Sequence, residues 1–283
     1  MKRKEHNITQ LIRYAESLDS KVSEDSLEVL QGLINQGEGI GQLVTCYIHS
    51  RSSLAVELLC NVKEPYDTDF LAKNTLATLT LLGQLIQKTP SWLPKLAEHS
   101  LFDHILKFIR PSENIVVVVS AILIVSSLLP HFAAPKKSIL LNLFRLLIMS
   151  CNMLYNFKKL FDQQKSDIIE GIYVSHLYSA IIQYFIVLYG IYPATLVEYL
   201  RSHVNVTDGR AVHVLKALFS AVKFHPNILS VTVEQELDRN RWNHREAHDF
   251  LADCRQVLVR PVLPTVVKGP LPLALNIFVL LRG

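Results

Sequence analysis

Charge is scarce in this chain. Between Glu113 and Lys136 no Asp, Glu, Lys or Arg occurs, and over all 283 residues charged side chains make up 19% against 49% hydrophobic ones. Such a composition excludes a disordered, solvated chain and supplies enough apolar surface for a large core. Glycine is sparse as well, with 10 residues. A chain poor in glycine and rich in leucine, with long unbroken segments, leans towards helix. Strand alternation is lacking. VVVV at 116–119 has high β-propensity, but the apolar run continues through SAILIVSSLL, too long for a typical strand.

Paired cysteines are also missing. Cys46, Cys60, Cys151 and Cys254 lie 14, 91 and 103 residues apart. No CxxC pair exists, so the spacing of a structural zinc site is absent, and free, mostly buried thiols in a reducing compartment are expected. The net charge of +4 and pI of about 8.8 are mild. They fall well short of a dedicated nucleic-acid binder, so no nucleic-acid partner is expected, while a local anionic partner remains open. The basic MKRK start has no apolar region behind it. HNITQLIRYAES reads as an amphipathic helix start rather than a signal peptide, and a cytoplasmic location is expected.

Enzyme signatures are equally thin. No GxSxG elbow or Walker lysine occurs. QGEGIGQ, residues 36–42, has spaced glycines but neither a preceding strand nor GxGxxG spacing, so it reads as a helix–helix turn. HREAH puts His244 and His248 four apart, half of a metal site if both lie on one helix face. The acid Glu246 is out of register for HExxH and no third ligand is near, so ordinary histidines are expected. No cofactor, metal or catalytic residue is assigned.

What is present is a series of apolar helices. The first question is whether ENIVVVVSAILIVSSLLP, residues 113–130, spans a membrane. Its dense run, Ile115–Leu129, is 15 residues, roughly 22 Å as a helix against the ~30 Å of a hydrocarbon core. Ser120, Ser126 and Ser127 interrupt it, Ser112 is the candidate N-cap, and Pro130 ends it. A helix apolar all round packs on several sides. The expectation is a buried core helix with Ile115, Val119, Leu123, Ile124 and Leu128 inside.

Further helices are read at LEVLQGLINQ, GQLVTCYIHS, Asp69–Gln87, SWLPKLAEHS, LFDHILKFI, Ser138–Leu154, Ile168–Tyr192 (the longest), ATLVEYLRSH, GRAVHVLKALFSAVKF and Asp238–Val259. Pro65, Pro90, Pro111, Pro130, Pro193 and Pro226 punctuate them. The pattern predicts an all-α fold, a HEAT-like α-solenoid of irregular antiparallel helical pairs, as a single domain over 1–283. The tail 260–283 differs: four prolines precede LALNIFVLL, and it reads as an end whose continuation lies elsewhere.

Polar residues gather at two places. One is YLRSH, with Arg201 and His203. The other is ELDRNRWNHREAHD, with Arg239, Arg241, His244, Arg245 and His248. If the two meet in space they form a cationic patch beside Trp242, suited by the forked donors of arginine to phosphate groups. The plain alternative is a solvated face in which Glu236, Asp238, Glu246 and Asp249 pair internally.

These same stretches carry a resemblance. LYGIYPATLVEYLRSH, residues 188–203, resembles the LYGxYPxxxxxxLRSH stretch of the hamartin family. KFHPNILSVTVEQELDRNRWNHREAHDFLADC, residues 223–254, is similar to its HPEL…HELDxxRW…ETHD…EC segment. QLIQKTPSWLPKL, residues 84–96, resembles VIRxxPSWxxKL, with KEPYD at 63–67 and SSLLP at 126–130 in register. The likeness runs from about residue 60 to 254, and the first 60 residues and the tail after Cys254 match poorly. Near Val233 the chain lacks a lysine that the family can carry ahead of HELD, and His244 stands where an arginine can occur.

The resemblance implies the family's N-terminal core domain, non-catalytic and HEAT-like. It implies a scaffold that stabilises tuberin, the GTPase-activating protein for the small GTPase Rheb, and so restrains TOR kinase signalling. Tuberin contact is implied mainly through regions beyond this chain, which has no sustained heptad run. It also implies docking on the lysosomal or vacuolar surface through phosphoinositides, with Arg201 and Arg241 matching basic positions. His203, Arg239 and Arg245 complete the expected anion-binding set. Self-association through apolar solenoid faces is a further expected contact. The alternative reading is a phosphoinositide-binding module acting mainly in membrane recruitment.

Overall fold

The computed structural model describes residues 7–17, 19–36, 38–62, 75–109, 114–132, 136–164, 168–204, 209–242 and 245–257. The described residues form helices and short connections, with no strand among them, as the composition predicts. They fall into two compact units, Met1–His104 and Ile105–Gly283. No linker composition in the sequence marks that division.

In the first unit, α1 (Ile8–Ala15), α2 (Ser20–Asn35), α3 (Ile40–Ser50), α4 (Ser53–Cys60) and α5 (Thr75–Lys88) pack as sequential neighbours, α1 on α2, α3 on α4 and α4 on α5. Local chemistry sets their starts. The side chains of Asn7, Asp19 and Ser52 each accept backbone N–H groups of the following first turn. Gly39 opens α3 at φ +78°, a left-handed conformation, and a Cβ there would lie 1.9 Å from Ile8 Cδ1. The glycine-spaced stretch is thus the helix–helix turn expected. Trp92 is fully buried and donates from Nε1 to Leu59 O at 3.1 Å. The PSW stretch therefore serves as an anchor, followed by a 3₁₀ turn at Leu93–Glu98 and then α6 (Ser100–Phe108), within which the division after His104 falls.

The second unit is built around α9. It comprises α7 (Ile115–Leu128), α8 (Lys137–Gln164), α9 (Ile168–Ile191), α10 (Pro193–His203), α11 (Gly209–Ser220), the short α12 (Asn227–Ser230) and α13 (Val233–Glu236), and α14 (Ala247–Gln256). α9 packs against α7, α8, α10 and α14. Tyr184 is fully buried and donates its hydroxyl to Leu143 O at 2.9 Å, tying α9 to α8, and burial raises its phenol well above its ordinary pKa. Phe185 and Tyr189 stack and Phe219 meets both edge-on, an aromatic cluster with centroids 4.9–5.6 Å apart.

Three segments depart from the sequence expectations. α7 is capped by Asn114, whose side chain accepts from Val116 N and Val117 N, while Ser112 lies outside the described residues. Of the five residues expected inside α7, Ile124 and Leu128 are buried but Ile115, Val119 and Leu123 are half-exposed. The latter three recur every fourth residue, so they share one face, and Ser127 continues it to the surface. The opposite face, with Val118, Ala121, Ile122 and Val125, is the enclosed one. The serines fit because each bonds back to the preceding turn, Ser126 Oγ to Ile122 O at 2.7 Å and Ser127 Oγ to Leu123 O at 2.9 Å.

The second departure concerns length. α8 runs ten residues past its expected end at Leu154 and, at 28 residues, exceeds the 24 of α9. Its apolar run stops where its C-terminal half becomes mostly solvated, but the helix does not. α8 and α9 are both long and apolar enough to cross a membrane by length and composition, and 50% and 67% of their apolar windows are buried within the protein. α7, at 14 residues, is shorter than a span. Third, Asp238–Val259 is not one helix. A 3₁₀ turn at Arg239–Arg241 comes first, and α14 starts only at Ala247, where Glu246 and Asp249 form a capping box. The apolar tail LALNIFVLL lies outside the described residues.

Where α14 crosses α9, Gly190 admits no side chain. A Cβ at that position would sit 2.6 Å from Cys254 Sγ and 2.9 Å from Cys254 Cα. Because one obstacle is backbone, Gly190→Ala is expected to cost about 1–3 kcal/mol by overpacking. Urea denaturation should show a lower midpoint with an unchanged slope. Cys254→Ala should fail to restore it, since the Cα remains. A wild-type midpoint for Gly190→Ala would refute the close crossing. The thiol itself is inert in this position: burial pushes Cys254 up to about 12, and Cys151 likewise. All four cysteines are free.

Candidate functional site: a buried carboxylate and its arginines

α10 begins without a cap of its own. Tyr192 precedes it and supplies no side-chain acceptor, and Pro193 at the first position has no N–H to satisfy. The acceptor comes from about forty residues later. Glu236, the last residue of α13, is 0% exposed. Its Oε1 accepts from Ala194 N at 3.1 Å, and its Oε2 accepts from Thr195 N at 2.7 Å and from the Thr195 hydroxyl. A carboxylate here meets the open N–H groups and the positive end of the helix together.

The short elements around Glu236 are each pinned. Thr232 and Gln235 form a capping box that fixes α13. Asp238 Oδ1 accepts from Asn240 N at 3.0 Å and sets the following turn. That turn brings Arg241 back over Glu236. Its Nη1 lies 3.9 Å from Oε1 and donates to the Glu236 carbonyl at 3.3 Å. The same guanidinium sits 5.3 Å from the Trp242 ring centroid. Trp242 packs between Tyr192, at 5.2 Å, and Phe250, at 5.0 Å. The Tyr192 hydroxyl and Trp242 Nε1 are buried without a hydrogen-bond partner. Burial first, and then the nearby Glu236, hold the Tyr192 phenol far above its ordinary pKa, with Arg241 opposing them.

A second tie lies beside this one. Tyr189 donates its hydroxyl to Lys223 O at 3.1 Å and accepts from His225 N at 2.9 Å. His225 Nδ1 in turn accepts from Asn227 N at 3.2 Å, and burial lowers its pKa. The HPN stretch is thereby moored to α9.

The arginines expected to form one patch are divided between two roles. Arg241 and Arg245 are half-buried and engaged. Arg245 pairs with Asp253 at 2.6 Å and lies 4.5 Å from the Phe250 ring centroid. Arg239 is exposed in the turn after Glu236, and Arg201 is exposed in the last turn of α10. His203 is also exposed, stacked on Tyr199 at 4.1 Å with Nδ1 3.0 Å from Tyr199 O. Glu236 binds the first turn of α10 while Arg201 and His203 occupy the last, roughly 10 Å along the axis. The basic residues therefore border one helix at two ends instead of converging on its start.

The metal reading finds no support among the described residues, which hold no group of three or more candidate ligands. His244 lies outside them, and α14 begins only after that position. His248 is exposed, with Nδ1 3.3 Å from Glu246 and Nε2 3.4 Å from Asp249. Sequence reading missed Glu236, Thr195 and Tyr192 as one unit and treated Glu236 as a surface partner. The available signal was Tyr-Pro opening a helix with no Ser, Thr, Asp or Asn cap ahead of it.

Comparison with known proteins bears on this arrangement. The family model for the hamartin N-terminal domain matches residues 8–266, so the likeness extends beyond residues 60–254 at both ends. Curated hamartins from Homo sapiens and Mus musculus are each 26% identical over 277 residues, covering 93% of this chain. The chain spans 23% of their length. A solved TSC1 N-terminal domain superposes with a TM-score of 0.63 at 19% identity, covering 88% of this chain and 74% of that one. A structure of the TSC1 NTD and linker domain gives 0.65 at 21%, covering 97% and 72%. At that identity the two structures speak for the fold, a helical solenoid-like arrangement, and the family match speaks for descent. The chain belongs to the hamartin N-terminal domain family.

Proposed function

We propose that this chain is a non-catalytic scaffold module of a tuberin-containing GTPase-activating complex that restrains Rheb and TOR kinase signalling. The observation that supports this most is the Glu236 contact. The LYG–YP and ELD–RW segments, which carry most of the resemblance, meet each other as helix start and cap. The Glu236 carboxylate takes up the open N–H groups of Ala194 and Thr195 and so ties the two segments together, as a scaffold requires. Tuberin is engaged mainly by regions beyond this chain. Pull-down with tuberin should therefore recover a longer chain containing the coiled-coil region far better than these 283 residues. Acceleration of Rheb GTP hydrolysis by this chain alone would overturn the non-enzymatic reading.

A second reading is peripheral docking on a lysosomal or vacuolar membrane through phosphoinositides, and the exposure of Arg201 and Arg239 favours it. Arg241 is unsuitable for a test, because its loss exposes Glu236 and disturbs the fold. Arg201→Glu with Arg239→Glu is the cleaner pair. The expected result is flotation of wild type with phosphoinositide liposomes at physiological salt. The double variant should lose that flotation, with unchanged helical content. Equal flotation of wild type with neutral liposomes would end this reading.

A further inference from the structure

The C-terminal half of α8 carries a face that the described residues leave partly uncovered. Met149, Asn152, Met153, Asn156, Phe157 and Leu160 recur at intervals of three and one, a single stripe along about three turns. With Arg210 from the start of α11 they line an open groove of about 420 Å³. Leu160 is 50% exposed, although it belongs to the apolar side of that stripe. The chain has 3 methionines, and the two that follow Met1 both lie here. Met149 is half-exposed and Met153 is buried beneath the stripe, and an unbranched thioether adapts to neighbouring side chains, which suits the floor of a docking groove.

Two observations say what fits. Asn152 lines the groove, and its buried Oδ1 has no hydrogen-bond partner, an acceptor left for an incoming donor. Among the described residues of α8, the charge on this side is positive. Arg145 and Lys159 are exposed on or beside the stripe and Arg210 lines it, whereas Lys137, Lys158 and the acid Asp162 lie on the other side of α8 by helical phase. A stripe roughly 16 Å long matches three turns of a second helix. We propose that this groove binds an amphipathic helix of a partner protein, with apolar residues at i, i+3, i+4 and i+7 and acidic residues on its flanks.

The test uses the 283-residue chain and two fluorescent 18-residue helical peptides of identical leucine spacing. One has glutamate flanks and the other lysine flanks. Anisotropy should show the glutamate peptide binding at least 10-fold more tightly. Leu160→Asp and, separately, Asn156→Asp should each weaken it at least 10-fold while melting like wild type. Leu229→Asp, at the 83% exposed leucine of α12, should leave it unchanged. Equal binding of the two peptides, no binding of either, or binding indifferent to Leu160→Asp and Asn156→Asp would overturn the proposal. So would sedimentation showing a dimer that Leu160→Asp splits, since the occupant would then be a second copy.

Discussion

Glu236→Ala is expected to destabilise the second unit by about 3–5 kcal/mol, the range for breaking a buried charge pair by removing one partner. Three losses coincide. Ala194 N and Thr195 N lose their acceptor in a site closed to water, the start of α10 loses its counter-charge, and Arg241 is left beside Trp242 without its carboxylate. Glu236→Gln keeps the shape and one carbonyl acceptor, so it should cost less. The measurement is the urea midpoint at constant slope, with amide exchange at Ala194 and Thr195 as a local readout. Exchange at both amides should accelerate more than at the far end of α10. The double variant with Arg241→Ala should be less damaging than the sum of the singles, because each single strands the other's charge. Strict additivity, or a wild-type midpoint, would show that the contact is incidental.

The same contact shows what the sequence could and could not reveal. Helices were legible because apolar spacing and proline punctuation are local signals, and α3, α9 and α10 lie where those signals put them. Helix ends were less so. α8 runs ten residues past the end of its apolar stretch because a solvated face costs a helix little, whereas the Glu246 capping box delays α14 past a charged stretch that looks continuous. The Glu236 cap was not legible at all. Its donors lie more than forty residues away in the chain, and in sequence a buried glutamate is written like any surface one. The arginines were found by type, but whether a guanidinium is occupied depends on neighbours brought by the fold. That is why Arg241 and Arg245 turn inward while Arg201 and Arg239 stay free to face solvent.

Burial on one side of α7 leads to the second large effect. Ile124 is 8% exposed and faces the enclosed side with Val125 and Leu128, whereas its neighbour Leu123 is half-exposed. Ile124→Asp places a carboxylate where packed apolar side chains offer it no partner. The cost should be several kcal/mol, comparable to the whole margin of a domain, and the expected outcome is loss of cooperative unfolding or of soluble protein. Leu123→Arg begins from a different position. Its long stem can lie along the Ile115–Val119 face while the guanidinium reaches water, so the expected loss is about 1 kcal/mol. Sequence alone gives the two substitutions equal weight, because an all-apolar helix has no visible outside. Thermal melts of the two variants side by side decide the matter. Equal severe loss in both would mean that the Leu123 face is as closed as the Ile124 face. Tolerance of both would remove α7 from the core.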